Sequence, residues 1–142
     1  MSGHSFHQLY YHYVWTTKNR ESLLVGDLHV WLLRQLQIES HKRGGIVLAF
    51  NAMPDHVHLH VSLPPTLCVS TYVGQVKGAM SFDYNKEHPG ESRLAWQEGY
   101  GVVSLLKRNS ERVTAYVENQ QQIHAARKTI RILEQTEPDD GE

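Results

Sequence analysis

Residues 56–60 read His-Val-His-Leu-His. In an extended strand alternate side chains share a face, so His56, His58 and His60 point one way and Val57 and Leu59 the other. Three imidazoles on one surface make poor core filling, because a buried ring nitrogen left without a partner costs roughly 1–3 kcal/mol. Two histidines separated by one apolar residue, His56 and His58, can instead hold a divalent cation, provided that another element brings a third ligand.

A second chemistry also suits the pattern. His-x-His-x-His with apolar x is similar to the histidine-triad nucleotide hydrolases and transferases, whose middle histidine attacks a phosphate without a metal. Spacing within the strand does not separate the two readings, so the rest of the chain must. Sixty residues on, Tyr116 and Gln120 stand four apart in a segment of helical pattern. That spacing puts a phenol and an amide oxygen on one helix face, one turn from each other. Tyrosine at a core boundary with glutamine on the solvent side is also common in helices that carry no chemistry.

These residues need elements to position them. From Phe6 to Thr17, FHQLYYHYVWTT is rich in aromatic and β-branched residues, with Leu9, Tyr11, Tyr13 and Trp15 on one face of a first strand. Leu28, Trp31, Leu32 and Leu36 recur at three and four between Asp27 and Arg43, which predicts a first helix stopped by Gly44 and Gly45. Ile46 to Asn51 and His56 to Leu63 read as a hairpin of two strands around the turn Met53-Pro54-Asp55, ended by Pro64 and Pro65. Val69, Val73, Val76 and Met80 give a second helix from Thr66 to about Tyr84, and Gly101 to Leu106 a fourth strand. Asn109 or Ser110 can cap a third helix running through Tyr116 toward Arg131. The order βαββαβα is that of an α+β ferredoxin-like sandwich, a mainly antiparallel sheet with helices on one face. The expected domain is 1–131. The remainder, 132–142, is acidic at its end and is expected to be a disordered tail.

Composition narrows the classes. At 142 residues the chain is the length of one domain, and 40% hydrophobic with 20% charged residues is ordinary for a globular protein. A formal net charge of −1 argues against coating nucleic acid by bulk electrostatics, though not against a local basic surface. Cys68 is the only cysteine, so no intramolecular disulfide forms, and a reducing compartment is expected. No apolar run approaches the roughly 18 residues of a membrane span. Ten histidines is a high count for this length, and histidine is the side chain most used for metal ligation and proton transfer.

MPDHVHLHVSLPP, together with YHYVWTTKNR, VGQVKG, WQEGYG and YVENQ, resembles the single-tyrosine HUH transposases of small bacterial insertion sequences and the related REP-associated tyrosine transposases. The resemblance runs from about His7 to His124 with the blocks in the family's order. A bare His-x-His is a weak signal; five ordered blocks are a specific one. Carried over residue by residue, the family's metal-binding histidines fall on His56 and His58, its nucleophile on Tyr116 and its third metal ligand on Gln120. His60 replaces the apolar residue common at its position, Asn19 stands where an aromatic is frequent, and Ile123 occupies a position often held by histidine.

The resemblance implies a transposase that uses Mg²⁺ or Mn²⁺ to cleave and rejoin single-stranded DNA at insertion-sequence ends through a 5′-phosphotyrosine. It further implies hairpin ends as the DNA partner, a homodimer with active sites shared between subunits, and a cytoplasmic location in a bacterium or archaeon. Lys18, Arg20, Lys77, Lys107 and Arg108 are the expected basic contacts to DNA. The histidine-triad alternative fits the order of the chain less well, since such triads usually lie late in the domain and need no tyrosine. A non-catalytic nucleic-acid-binding module is the other alternative, with Tyr11, Tyr13 and Trp15 stacking bases. Aromatics at period two in a central strand belong more often to a core.

Overall fold

The computed structural model describes residues 5–90 and 93–139. Its elements are β1 (Tyr10–Thr16), α1 (Gly26–Lys42), β2 (Ile46–Met53), β3 (His56–Ser62), α2 (Val69–Glu87), β4 (Gly101–Leu105), α3 (Ser110–Glu118), α4 (Gln120–Ala125) and α5 (Arg131–Glu134), with short 3-10 turns at Lys18–Arg20 and Lys107–Asn109. The four strands form one sheet in the order β2-β3-β1-β4, every neighbouring pair antiparallel. This is the expected α+β ferredoxin-like sandwich, except that helices cover both faces of the sheet and not one: α1 and α2 pack on one face and α3 on the other.

Each face of the sheet follows from strand alternation. Tyr13 and Trp15 of β1, Val57, Leu59 and Val61 of β3 and Ala52 of β2 line one face. There they meet Leu28, Leu32 and Leu36 of α1 and Tyr72, Val73, Val76, Met80 and Tyr84 of α2. Tyr13 and Trp15 are fully buried, so they belong to this core, and Tyr11 packs against it. Gly44, at φ +92°, lets the chain leave α1 in the left-handed conformation that the sequence pattern anticipates.

The opposite face carries the histidines. Across β3 and β1 the pairs are His56 with Thr16, His58 with Val14 and His60 with His12. On the outer flanks Asn51 of β2 lies beside His58, and Gly101 of β4 beside Val14. The C-terminal helices cover this second face, with Val113 and Val117 of α3 against Ala49 and Leu105.

Two parts of the C-terminal third depart from expectation. The third helix does not run on to Arg131: it breaks at Asn119, whose side-chain amide bonds the Ala115 carbonyl at 2.8 Å and competes with the helical ladder. The segment from residue 132, expected to be disordered, is placed through residue 139. It begins within α5, Leu133 is buried, and the chain crosses the β1–β4 half of the histidine face. An apolar side chain one residue into the expected tail supplies its anchor. Residues 140–142 of that tail lie outside the described residues.

Candidate metal and tyrosine site

β3 begins directly after the turn at Asp55, and the first two of its inward imidazoles lie close together, with ring centroids 5.0 Å apart. Each is held by its other nitrogen. His56 Nδ1 lies 2.7 Å from Asp55 Oδ1, and His58 Nδ1 lies 2.9 Å from His12 Nε2 on β1. Partners of this kind fix ring orientation and leave Nε2 as the free donor. Both Nε2 atoms are buried and make no hydrogen bond. His60, further along β3, instead turns Nδ1 to Thr114 Oγ1 of α3 at 3.0 Å.

α3 brings Tyr116 over β3, its ring edge-on to His58 with centroids 5.9 Å apart. Gln120, the first residue of α4, is fully buried. Its amide donates to the Tyr116 carbonyl at 2.9 Å, and its Oε1 lies 2.9 Å from His124 Nε2. The helix break at Asn119 therefore leaves Tyr116 and Gln120 tied across one turn, as the four-residue spacing anticipates.

The tail closes the site. Glu134 of α5 places one carboxylate oxygen 3.2 Å from His56 Nε2 and the other 3.2 Å from His58 Nε2. The second oxygen also accepts the hydroxyl of Tyr116, and His124 Nε2 lies 3.5 Å from the first. Among the described residues, His56, His58, His124 and Glu134 form a group whose ligand atoms all lie within 4.8 Å of one another. Donors held about 2.0–2.2 Å from one ion stand at most about 4.4 Å apart, so small side-chain adjustments suffice to bind one. The donor set and the unpartnered Nε2 atoms of His56 and His58 fit a divalent cation.

The electrostatics follow from this crowding. Burial alone would raise the Glu134 carboxyl, but the two imidazoles and the Tyr116 hydroxyl hold it well below the usual carboxylate range. Burial would lower His56, yet Glu134 and Asp55 raise it overall; in His58, which is more deeply buried, burial wins and the imidazole is lowered. Burial and then the Glu134 carboxylate push the Tyr116 phenol up to about 12. A phenol so disposed is a nucleophile only once something withdraws charge from its target or takes its proton.

The basic residues divide. Lys18, Lys107 and Arg108 are exposed, and Arg20 pairs with Asp55 at 3.4 Å. Lys77 donates to the carbonyls of Gln97 and Gly99, at 3.0 and 2.7 Å, so its ammonium holds the segment before β4. A groove of about 380 Å³ lined by Asn19, Arg20 and Gln97 and by the carboxylates of Glu98, Glu134 and Glu137 borders the site.

Sequence reasoning did not single out His124 or Glu134. His124 was within reach of it, standing four residues beyond Gln120 and so on the same helix face. Glu134 left no comparable signal, because tertiary docking of the tail is what brings it in.

On one face of the four-stranded antiparallel sheet, His56 and His58 of β3 thus lie beneath Tyr116 of α3, with Gln120 buried at the start of α4. The family described as "Transposase IS200 like" matches residues 5–120, and the chain belongs to it. It is 29% identical over 120 residues to the ISDra2 transposase TnpA of Deinococcus radiodurans, covering 80% of this chain and 85% of that one. With the transposase of insertion sequence IS200 from Salmonella typhimurium it shares 24% identity over 115 residues, 78% of this chain and 75% of that protein. A crystal structure of a candidate transposase from Deinococcus radiodurans R1 superposes with a TM-score of 0.65 at 26% identity, over 82% of this chain and 94% of the other. The structure of a REP-associated tyrosine transposase bound to a REP hairpin has the same fold, with a TM-score of 0.64 at 16% identity over 87% and 74% of the two chains. Among the described residues no helix is long and apolar enough to cross a membrane.

Proposed function

We propose that this transposase cleaves and rejoins single-stranded DNA at insertion-sequence ends, with Tyr116 as the nucleophile. One observation carries the reading: the Tyr116 hydroxyl and the Nε2 atoms of His56 and His58 all reach a single carboxylate, that of Glu134. Nucleophile and metal-binding pair thus stand within the width of one phosphate. The phenol oxygen bonds to phosphorus, the bond from phosphorus to the 3′-oxygen breaks, and the phenolic proton ends on the released 3′-hydroxyl. Phosphodiester energy is kept in the 5′-phosphotyrosine, so a 3′-hydroxyl can reverse the step and join new ends without ATP.

His56 and His58 are the metal pair, and Gln120 on α4 is the proposed third ligand. Its buried amide oxygen, already turned toward His124 Nε2, supports that role. Bound there, Mg²⁺ or Mn²⁺ would withdraw charge from the scissile phosphate and so make it open to attack by a phenol of high pKa. Asp55 and His12 orient the two imidazoles, and α3 holds the phenol edge-on to His58. A shallow sheet-and-helix site suits a strand free of its complement.

Exposed Lys18, Arg20, Lys107 and Arg108 are the proposed phosphate contacts to that strand. The relative solved with a REP hairpin supports hairpin ends as the DNA partner. A homodimer with shared active sites, working in the cytoplasm, completes the reading. The test is incubation of the protein and Mg²⁺ with labelled single strands carrying an element's ends. A covalent protein–DNA adduct is expected; its absence with every divalent ion, under conditions where the strand binds, rejects the assignment.

A further inference from the structure

We infer that Glu134 is a metal ligand delivered by the C-terminal tail, so that cation binding and docking of the tail are one coupled event. The inference rests on the metal site proposed above and adds to it an anionic donor from outside the matched family region of residues 5–120.

Three observations carry it. First, both carboxylate oxygens of Glu134 sit 3.2 Å from an imidazole Nε2, yet neither nitrogen makes a hydrogen bond to them. An N–H turned toward a carboxylate would align with it. Here, with His58 fully buried, the donor atoms of His56, His58, His124 and Glu134 converge within 4.8 Å of one another. A divalent cation among them would satisfy both lone pairs and the carboxylate charge.

Second, the seat of the tail is built into the fold. Leu133, next to Glu134, is buried at 5% exposure, and the Ile130 amide donates to the Tyr116 hydroxyl at 2.9 Å. Third, β4 gives up a side chain to admit the tail. A Cβ on Gly101 would stand 1.8 Å from the Gln135 carbonyl oxygen, a backbone atom that cannot swing aside. Gly101 lies beside Val14 on the histidine face, one strand from His58, so only glycine there leaves room for the segment that carries Glu134.

The tail is thus a clasp whose closed form the cation favours, since a ligand that binds one form shifts the equilibrium toward it by its differential affinity. Glu134 would also position Tyr116, whose hydroxyl it accepts.

The experiment measures Mn²⁺ binding to the full chain by calorimetry, and trypsin cleavage at the exposed Arg127, Lys128 and Arg131 with and without Mn²⁺. The wild-type chain, Glu134→Gln, Gly101→Ala and His58→Ala are compared. Glu134→Gln, which keeps size and removes charge, should weaken Mn²⁺ binding by about ten-fold or more. Gly101→Ala touches no ligand yet should weaken it as well, by displacing the tail. Mn²⁺ should slow cleavage of the tail in the wild-type chain and not in Glu134→Gln. Unchanged Mn²⁺ affinity in Glu134→Gln, with binding still lost in His58→Ala, overturns this inference and leaves the metal site standing. Tighter Mn²⁺ binding or a higher yield of covalent adduct in Glu134→Gln and Gly101→Ala also overturns it, making the tail a plug that substrate must displace. No Mn²⁺ binding to the wild-type chain, or binding untouched by His58→Ala, removes the underlying metal site itself.

Discussion

The ring of Tyr116 stands edge-on to that of His58, planes at 83° and centroids 5.9 Å apart, and the phenol lies on a helix while the imidazole lies on the central strand beneath it. Contact between the two elements is what makes one site of two distant motifs. Replacing Tyr116 by Phe keeps the ring and this contact, and removes only the oxygen. The variant should lose the covalent adduct entirely while binding hairpin DNA within a few-fold of wild type. Two hydrogen bonds go with the oxygen, those to Glu134 and from Ile130, so a stability loss of about 1–2 kcal/mol is expected by urea unfolding. Adduct at undiminished yield would move the nucleophile to another residue, with His58 the first to examine.

Chelation gives the second expectation. EDTA should abolish cleavage and spare hairpin binding, and His56→Ala or His58→Ala should do the same, since each removes one of the few proposed ligands. His12→Ala should give a milder loss, because His12 meets His58 Nδ1 and acts only through its orientation. Single-strand cleavage assays over a Mn²⁺ titration separate the cases: added metal rescues His12→Ala and fails to rescue His58→Ala. Full activity in EDTA would return the strand to the histidine-triad reading.

How much of this could be read in the sequence depends on how local each feature is. Alternation in β3 places His56 and His58 together on one face, and helical spacing pairs Tyr116 with Gln120, because both are properties of a few consecutive residues. The strand order β2-β3-β1-β4 is set by pairing between distant segments, which the order of elements along the chain does not report. The break at Asn119 turns on a single side chain bonding back to Ala115, which a pattern of apolar positions does not report. The docked tail is the largest surprise. Its acidic end reads as solvated, yet Leu133 anchors it and Gly101 makes room for it, thirty-two residues apart, and no periodicity links such a pair.

Gln120 gives a prediction that discriminates binding from alignment. Its amide bonds both the Tyr116 carbonyl and His124, so it joins the tyrosine helix to the proposed metal donors. Gln120→Ala should weaken metal binding moderately and depress cleavage by more than lost occupancy explains. Saturating Mn²⁺ should then restore occupancy and only part of the rate, read as single-turnover cleavage. A full rescue would make Gln120 a simple donor, and no effect would leave His124 and Glu134 to complete the metal site.

His60 sits on the same strand face as His56 and His58 but answers to a different constraint. It is fully buried, its Nδ1 meets Thr114, its cross-strand neighbour is His12, and burial pushes its imidazole down to about 4. The folded chain therefore holds it neutral at pH values where the unfolded chain would protonate it near 6.5. A base whose folded pKa is depressed contributes stability that is whole above the unfolded value and is lost as pH falls through the folded one. For His60 that window runs from about pH 6.5 down to about pH 4, with a loss on the order of 2–4 kcal/mol at its acid end. His12, lowered to about 3 by burial and by His58, extends the same trend further into acid, whereas His56 is raised and works in the opposite direction. Only the difference between wild type and a variant isolates His60. His60→Leu puts an apolar side chain of similar size in its place and leaves the half-buried Thr114 hydroxyl to water. Urea unfolding of the metal-free chain at pH 7 and at pH 4 should show the wild type losing more stability on acidification than His60→Leu does. Equal losses would mean that the folded chain protonates His60 as readily as the unfolded chain does, so that burial does not hold its imidazole down.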